Sequence, residues 1–330
     1  MADMGDLARR IRQGERRALA RAITLVESSR PDHRAAAEAL LEALAESRSE
    51  ALRIGLSGTP GVGKSTFIEA FGSMLAESGL KVAVLAVDPS SARTGGSILG
   101  DKTRMPRLAR HPNAYIRPSP SRSALGGVAR RTREAVMLLE AAGFDVILIE
   151  TVGVGQSETM VAQMADLFVL LLAPAGGDEL QGVKRGIMEM ADLILVNKAD
   201  GELKPAAART VADYAGALGL LRRRPQDPEG FPKVLQVSAL TGAGLEEAWR
   251  EMQALADWRR HEGHWAAHRA RQARQWFEEE LRQGLLARLE APEARARIAS
   301  FGEDVAGGRK TPAGAAREML GWLEGEGGRG

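Results

Sequence analysis

Residues 58–65, GTPGVGKS, are the stretch that decides the fold class of this chain. They match the pattern GxxxxGK[ST], whose glycines allow a tight loop with backbone N–H groups converging on a phosphate. The helix that follows adds positive potential, the lysine reaches the β and γ phosphates, and the serine binds Mg²⁺. We therefore predict a nucleoside triphosphate site with Lys64 as a catalytic residue. The predicted nucleotide-binding residues of this segment are Gly58, Thr59, Pro60, Gly61, Val62, Gly63, Lys64, Ser65 and Thr66.

The sequence on both sides has the context that this pattern requires. An apolar run at 53–57 predicts a strand before the loop, and a helix is predicted from Ser65 to Ser78 after it. Further apolar runs occur at 82–88, 113–118, 145–151, 166–173, 192–198 and 233–238. Continuous apolarity is typical of strands buried on both faces of a mainly parallel sheet, and the intervening segments are long enough for crossover helices. The predicted fold class is α/β, a central sheet flanked by helices.

Helical periodicity dominates both ends of the chain. We predict an N-terminal helical extension at 1–50, a nucleotide-binding domain at 51–256 and a C-terminal helical dimerisation arm at 257–330. The arm is expected to end in a disordered tail, GEGGRG. Trp258, Trp265 and Trp276 are 7 and 11 residues apart, which would place them on one face of a single helix. Such a face is typical of a core or a dimer seam.

A second motif concerns the choice of base. Asn197-Lys198-Ala199-Asp200 follows a predicted strand, and an aspartate there accepts hydrogen bonds from guanine N1–H and the 2-amino group, which adenine cannot supply. Ser238-Ala239-Leu240 can offer a backbone N–H to the guanine 6-oxygen, although Ser238 is equally well explained as a helix cap. In this order along the chain, the motifs favour GTP over ATP.

Three carboxylates accompany the phosphate loop. Asp88 and Glu150 end predicted strands, where ligands bind in open α/β sheets, and Asp101 lies in a Gly/Ser-rich loop. Hard oxygen ligands suit Mg²⁺, although each carboxylate could instead cap a strand end or a turn. Gly153, in the pattern Glu-x-x-Gly, is placed to donate its N–H to the γ phosphate.

Composition excludes several classes of protein. The 330 residues include 45 Lys and Arg, 43 Asp and Glu, and no cysteine, which excludes disulfides, thiolate metal sites and a cysteine nucleophile. No apolar run approaches the ~18 residues of a membrane span, and the N-terminus lacks the apolar core of a signal peptide. We therefore expect a cytoplasmic protein that does not bind membranes. We also expect no binding to nucleic acid, because the arginines among the C-terminal tryptophans are nearly balanced by acidic residues.

Four segments carry a family resemblance. VDPSSARTGGSILGDKTRM (87–105), ETVGVGQSE (150–158), APAGGDELQGVKRGI (173–187) and NKAD (197–200) closely resemble the MeaB/ArgK family, methylmalonyl-CoA mutase-associated GTPases of the SIMIBI class. The resemblance implies a homodimer that binds GTP, GDP and Mg²⁺ and hydrolyses GTP. It also implies an adenosylcobalamin-dependent acyl-CoA mutase as partner, either methylmalonyl-CoA mutase, isobutyryl-CoA mutase or a relative, together with its adenosyltransferase. The implied role is to gate cofactor loading and to protect or reactivate the mutase.

The same resemblance assigns individual residues. It places Ser65, Asp88, Asp101 and Glu150 at the metal-site positions, with Glu150 also counted as catalytic. It matches residues 175–186 to a mobile segment called switch III, in which Gln181 and Lys184 are functional. No side chain supplies an obvious general base, so we expect slow intrinsic turnover that the partner accelerates.

Three alternative functions stay open at this stage. A metallochaperone GTPase would need metal ligands, and His261, His264 and His268 have the i, i+3, i+7 spacing of one helix face. A nucleic-acid binder would use the interleaved Arg and Trp residues of the arm. An ATP- or GTP-dependent small-molecule kinase is the third alternative, which competition between GTP and ATP would decide. The older family name implies a kinase for amino-acid transport proteins, but the sequence shows no second phospho-acceptor constellation.

Overall fold

The computed structural model describes residues 4–45, 49–87, 105–117, 125–151, 157–174, 185–221 and 224–326. Five predicted site residues lie outside these ranges, so their roles stay predictions: Asp88, Asp101, Gly153, Gln181 and Lys184.

The described chain contains a seven-stranded sheet in which every neighbouring pair is parallel. All seven predicted runs form strands, each within two residues of its predicted ends. The strands are β1 (Leu52–Ser57), β2 (Val82–Val87), β3 (Ala114–Arg117), β4 (Val146–Thr151), β5 (Leu167–Leu172), β6 (Leu193–Val196) and β7 (Lys233–Gln236). Their order is β3-β2-β4-β1-β5-β6-β7, so β1 lies at the centre between β4 and β5. Ligands of such sheets bind beyond the carboxyl ends of the strands, where the order reverses.

Twelve α-helices are described. They are α1 (Met4–Arg12), α2 (Arg16–Glu27), α3 (Pro31–Leu44), α4 (Lys64–Glu77), α5 (Leu125–Ala141), α6 (Ser157–Met164), α7 (Arg185–Met190), α8 (Lys204–Gly219), α9 (Leu245–His261), α10 (His264–Leu289), α11 (Pro292–Ala306) and α12 (Pro312–Glu326). The chain divides into two compact units, residues 1–269 and 270–330. The three N-terminal helices belong to the first unit, together with the sheet.

In the first unit, both faces of the sheet are covered, which explains why its strands are continuously apolar. On one face, Phe67 and Phe71 of α4 pack in the same buried cluster as Leu148 of β4. On the other, Leu19 of α2 and Leu139 of α5 share a cluster with the opposite face of the strands. The α/β architecture with helical extensions is confirmed, whereas the domain limits at residues 50 and 256 stay predictions.

The predicted single tryptophan face is wrong. α9 ends at His261 and α10 starts at His264, because Gly263 adopts a left-handed φ of 76° that interrupts the helix. Trp258 therefore lies on α9 and stacks on His264, with ring centroids 5.3 Å apart. Trp265 lies on α10 and donates its Nε1–H to Glu50 Oε2 at 3.0 Å. The expected disordered tail, residues 325–330, is wrong for its first two residues, because α12 extends to Glu326, and its last four residues lie outside the described ranges.

The second unit, residues 270–330, consists of most of α10 followed by α11 and α12. Arg297 of α11 lies over the Trp322 ring of α12, 5.3 Å from its centroid. Phe277, Leu281 and Leu285 follow one another at intervals of four residues on α10 and are 68%, 55% and 55% exposed. This spacing puts them on one helix face as an exposed apolar row. Within the ranges that the structure describes, no helix is both long and apolar enough to span a bilayer.

Candidate nucleotide-binding site

The phosphate loop connects the central strand to α4. β1 ends at Ser57, and α4 begins at Lys64, one residue earlier than predicted. Gly63 immediately before the helix has a φ of 87°, and a Cβ on it would lie 2.9 Å from Asn197 Nδ2. A Cβ on Gly58 would lie 2.4 Å from the carbonyl oxygen of Leu171. A side chain is therefore excluded at both Gly58 and Gly63 by close neighbours. At Gly63 the left-handed backbone conformation excludes it as well.

Lys64 lies across this loop. Its Nζ donates a hydrogen bond to the carbonyl oxygen of Gly58. Burial lowers the pKa of Lys64, and the carboxylates of Glu150 and Glu158 act in the opposite direction. Ser65 follows in the first turn of α4, half-buried. The ammonium is thus held among the groups that would surround a bound phosphate.

The Asn197 side chain links three loops through two hydrogen bonds. It is 1% exposed, its Nδ2 donates to the carbonyl oxygen of Val62 at 3.0 Å, and its Oδ1 accepts from the backbone N–H of Ala239 at 3.0 Å. The phosphate loop, the NKAD segment and the SAL segment are therefore held together by a single buried amide. The sequence indicated that Asn197 braces its own loop and the base, but not that it links the other two segments.

The remaining base-site residues lie beside this amide. Lys198 has a left-handed φ of 58° and donates its Nζ–H to the carbonyl oxygen of Gly61 at 2.6 Å. Asp200 Oδ1 accepts a hydrogen bond from Ser238 Oγ at 2.6 Å. Ser238 Oγ also accepts from the N–H of Thr241 at 3.2 Å, which closes a turn. The next helix, α9, begins only at Leu245 after Gly244, so Ser238 does not cap it, and its role at the guanine stays a prediction. Leu240 is 80% exposed next to these groups.

The described part of the proposed metal site consists of Ser65 and Glu150. Glu150 is 3% exposed and pairs in register with Leu56, so it reaches the carboxyl edge of the sheet beside the end of β1. A hydroxyl and a carboxylate at that edge fit Mg²⁺, which prefers hard oxygen ligands. Within the described ranges, no group of three or more histidine or acidic side chains could hold a metal ion.

The three histidines of the alternative metal face do not converge. His261 Nδ1 lies 2.9 Å from Glu262 Oε1, His264 stacks on Trp258, and His268 Nε2 lies 3.0 Å from the carbonyl oxygen of Ala165. The break at Gly263 separates His261 from the other two, because it ends the helix that their spacing assumed.

One residue near the site has no individually predicted role. Glu158, in the first turn of α6, is 9% exposed and is close enough to Lys64 to influence its pKa. Its position three residues before the buried Val161 is the sequence signal that could have placed it on the inner face of α6.

Comparisons with known proteins agree with this geometry. The family described as "Methylmalonyl Co-A mutase-associated GTPase MeaB" matches residues 19–294. A putative GTPase of Caulobacter vibrioides is 52% identical over 96% of this chain and 97% of its own length. The mitochondrial methylmalonic aciduria type A homolog of Mus musculus is 50% identical over 93% of this chain and 76% of its own. GTPase ArgK of Escherichia coli is 55% identical over 75% of this chain and 74% of its own.

A solved structure gives the same result for the fold. A crystal structure described as LAO/AO transport system kinase superposes with a TM-score of 0.74, at 38% identity, over 98% of both chains. The phosphate loop at the centre of a parallel sheet, the NKAD and SAL segments joined to it through Asn197, and a family match over most of the chain all agree. This chain belongs to the MeaB family of methylmalonyl-CoA mutase-associated GTPases and hydrolyses GTP.

Proposed function

We propose that this GTPase is a chaperone of an adenosylcobalamin-dependent acyl-CoA mutase, methylmalonyl-CoA mutase or a relative such as isobutyryl-CoA mutase. It gates cofactor loading and protects or reactivates the mutase, with the adenosyltransferase as a further partner. The observation that carries the proposal is the family match over residues 19–294, whose description names the mutase. The name of the mouse relative, which refers to methylmalonic aciduria, supports the same assignment.

The proposed site binds GTP and GDP at the carboxyl edge of the sheet. Residues 58–66 hold the phosphates, and Asp200, with Asn197, Lys198 and residues 238–240, recognises guanine. Ser65, Asp88, Asp101 and Glu150 are the proposed Mg²⁺ residues, and the ion would neutralise charge on the β and γ phosphates. Lys64 supplies the fixed cation of this site, because its ammonium already lies within the loop.

Conversion of GTP hydrolysis into altered partner affinity requires segments that sense the γ phosphate. We assign this role to residues 89–104, 152–158 with Gly153, and 175–186. In the last of these, Gln181 and Lys184 are the proposed catalytic residues, and Lys184 is the cation through which the partner accelerates hydrolysis. A cation supplied on partner binding is worth ~10³-fold or more in phosphoryl transfer.

The proposed assembly is a cytoplasmic homodimer. Its support is the exposed row of Phe277, Leu281 and Leu285 on α10, because an apolar helix face of this kind is typical of a surface that a partner covers. A second copy presents the same row and would cover it symmetrically.

The test measures GTP turnover with and without purified methylmalonyl-CoA mutase for wild type, Lys184→Ala and the neighbouring cation variant Arg185→Ala. We expect Lys184→Ala to keep its basal turnover and complex formation but to lose the acceleration, while Arg185→Ala keeps it. Equal acceleration in wild type and Lys184→Ala contradicts the role of Lys184. Failure of the mutase to bind or accelerate wild type, together with no recovery of a cobalamin-dependent mutase from native lysate, contradicts the partner.

A further inference from the structure

Glu158 is a buried carboxylate at the end of the proposed sensing segment 152–158, and its side chain has no individual role in the function proposed above. It lies in the first turn of α6 and is 9% exposed. Its carboxylate forms no hydrogen bond or ion pair within 4 Å to another residue that the structure describes. Because transfer of an ionised carboxylate out of water is costly unless it is compensated, a charge in this place needs a physical reason.

The contacts of α6 show which way it runs. Just beyond its last turn, Asp166 donates its backbone N–H to the carbonyl oxygen of Arg53 at 2.8 Å, near the amino end of β1. Farther along the strand, a Cβ on Gly55 would lie 2.8 Å from Val161 Cγ1 and 3.0 Å from Ala165 Cβ. The helix therefore runs antiparallel to β1, and its first turn lies toward the phosphate loop.

The register places Glu158 on the face that contacts the strand. It precedes Val161 by three residues, so the two side chains share a helix face, and the helix rises ~4.5 Å between them. Along β1, Ser57 lies ~6.6 Å beyond Gly55 in the same direction. Glu158 is thus directed to the end of β1, where Glu150 and the Lys64 ammonium lie. Its influence on Lys64 agrees with this position.

The charges at this point do not balance. Lys64 is one cation, and Glu150 and Glu158 are two anions. Glu150 belongs to the proposed metal set, whereas Glu158 forms no ion pair within 4 Å to a described residue and acts on the Lys64 ammonium through its charge. GTP carries more negative charge than GDP, and the additional charge is on the γ phosphate that Lys64 approaches. A fixed carboxylate beside Lys64 therefore repels GTP more strongly than GDP.

We propose that Glu158 is a positioning residue that competes with the γ phosphate for the Lys64 ammonium and so sets the relative affinity of the site for GTP and GDP. The inference rests on the proposed function of Lys64 as the phosphate ligand. The carboxylate acts through its charge, because the Lys64 Nζ itself donates to the carbonyl oxygen of Gly58, and it lowers the preference of the protein for GTP.

The test compares the dissociation constants of a non-hydrolysable GTP analogue and of GDP, both with Mg²⁺, in wild type, Glu158→Gln and Glu158→Asp. Glu158→Gln should bind the analogue about fivefold more tightly relative to GDP, since one fixed charge is removed at a partly hydrated site. Glu158→Asp retracts the carboxylate by one methylene, so the ratio should move in the same direction by less. The matched control is Glu246→Gln, an exposed first-turn carboxylate of α9, for which the ratio should not change.

An unchanged ratio in the folded Glu158 variants, or weaker binding of the analogue relative to GDP, overturns the proposal and leaves Glu158 as a residue that supports the first turn of α6. Thermal melting establishes folding, and if Glu158→Gln does not fold, the ratio in Glu158→Asp decides. Lys64→Ala separates the two assignments. If it binds the analogue as well as wild type, the phosphate-ligand role of Lys64 fails; if it loses binding while the Glu158 ratios are unchanged, only the present inference fails.

Discussion

The two edges of the sheet use charged residues in opposite ways. At the amino edge, an aspartate precedes each of β4, β5 and β6 and accepts a hydrogen bond from a backbone N–H of an adjacent segment. Asp145 accepts from Lys81 at 2.7 Å, Asp166 from Arg53 at 2.9 Å, and Asp192 from Phe168 at 2.7 Å. At the carboxyl edge, Lys64 and Lys198 donate to carbonyl oxygens of the phosphate loop and form no described ion pair.

Arginines form ion pairs with the acidic residues of the amino edge. Arg53 pairs with Glu140 at 2.8 Å, Arg269 with Asp166 at 2.7 Å, and Arg259 with Asp192 at 2.6 Å. Burial alone would raise the pKa of Asp192, but Arg259 and Arg224 outweigh it and lower the pKa below its usual value. Charges that neutralise one another serve stability, whereas cations left with only carbonyl partners are available to a phosphate. The difference favours the carboxyl edge as the place where the proposed site binds its phosphates.

The largest effect is expected at the carboxyl edge. Lys64→Ala should reduce GTP hydrolysis by ~10³-fold or more, because it removes the cation facing the β and γ phosphates. Phosphate release at saturating GTP measures this loss, and thermal melting should show an unchanged fold. Lys81→Ala removes an exposed lysine from the amino edge and should leave turnover as in wild type. Near-normal hydrolysis by Lys64→Ala would contradict the functional role of the lysine at the carboxyl edge.

The amino edge should respond in stability instead. Asp192→Asn removes one of the two buried carboxylates that pair with Arg259, so that only Asp227 remains. Breaking a buried pair completely costs about 3–5 kcal/mol of unfolding free energy, and we expect a loss at or below this value. Denaturant unfolding measures the change, while basal turnover of the remaining folded protein should be retained. Asp257→Asn, in an exposed pair with Arg260, should change stability by less than about 1 kcal/mol.

The pH dependence of the unfolding free energy tests the charge of Asp192 directly. The pKa of Asp192 is lowered in the folded state, so its stabilisation is present above the unfolded pKa of about 3.9 and is lost as the pH falls through the lower folded value. The difference in stability between wild type and Asp192→Asn should therefore shrink only below about pH 4. A constant difference down to pH 2 would show that the carboxylate charge is not what stabilises this edge.

A smaller change is expected at the base. Asp200→Asn should lower GTP affinity about 10- to 100-fold, because two hydrogen bonds to a charged acceptor are lost, and should raise affinity for xanthosine triphosphate, whose 2-oxo group accepts from the amide. Competition binding with both nucleotides measures the switch. The control is Asp213→Asn, an exposed carboxylate of α8. Full GTP affinity in Asp200→Asn, with no gain for the xanthine nucleotide, would remove Asp200 from base recognition.

Much of the fold and part of the site follow from local patterns. GTPGVGKS predicts a strand, a loop and a helix because the positions that hold a phosphate are consecutive in the chain, and β1 and α4 form there. The apolar runs predict all seven strands. Continuous apolarity reflects complete burial in β1, β2, β4, β5 and β6, whereas the edge strands β3 and β7 are only partly buried. The tryptophan spacing failed because one left-handed glycine, Gly263, ends a helix that the apolar period alone would continue.

By itself, the sequence determined the fold class and the phosphate loop between β1 and α4, and it predicted the segments that recognise guanine, since each depends on residues within a few positions of one another. Only the tertiary structure decided how these segments combine. Asn197 reaches Val62 across 135 residues of chain, and Glu158 is brought to Lys64 because α6 packs against Gly55. Such contacts depend on the order and register of the strands, which arise from packing the whole sheet rather than from any one stretch of sequence.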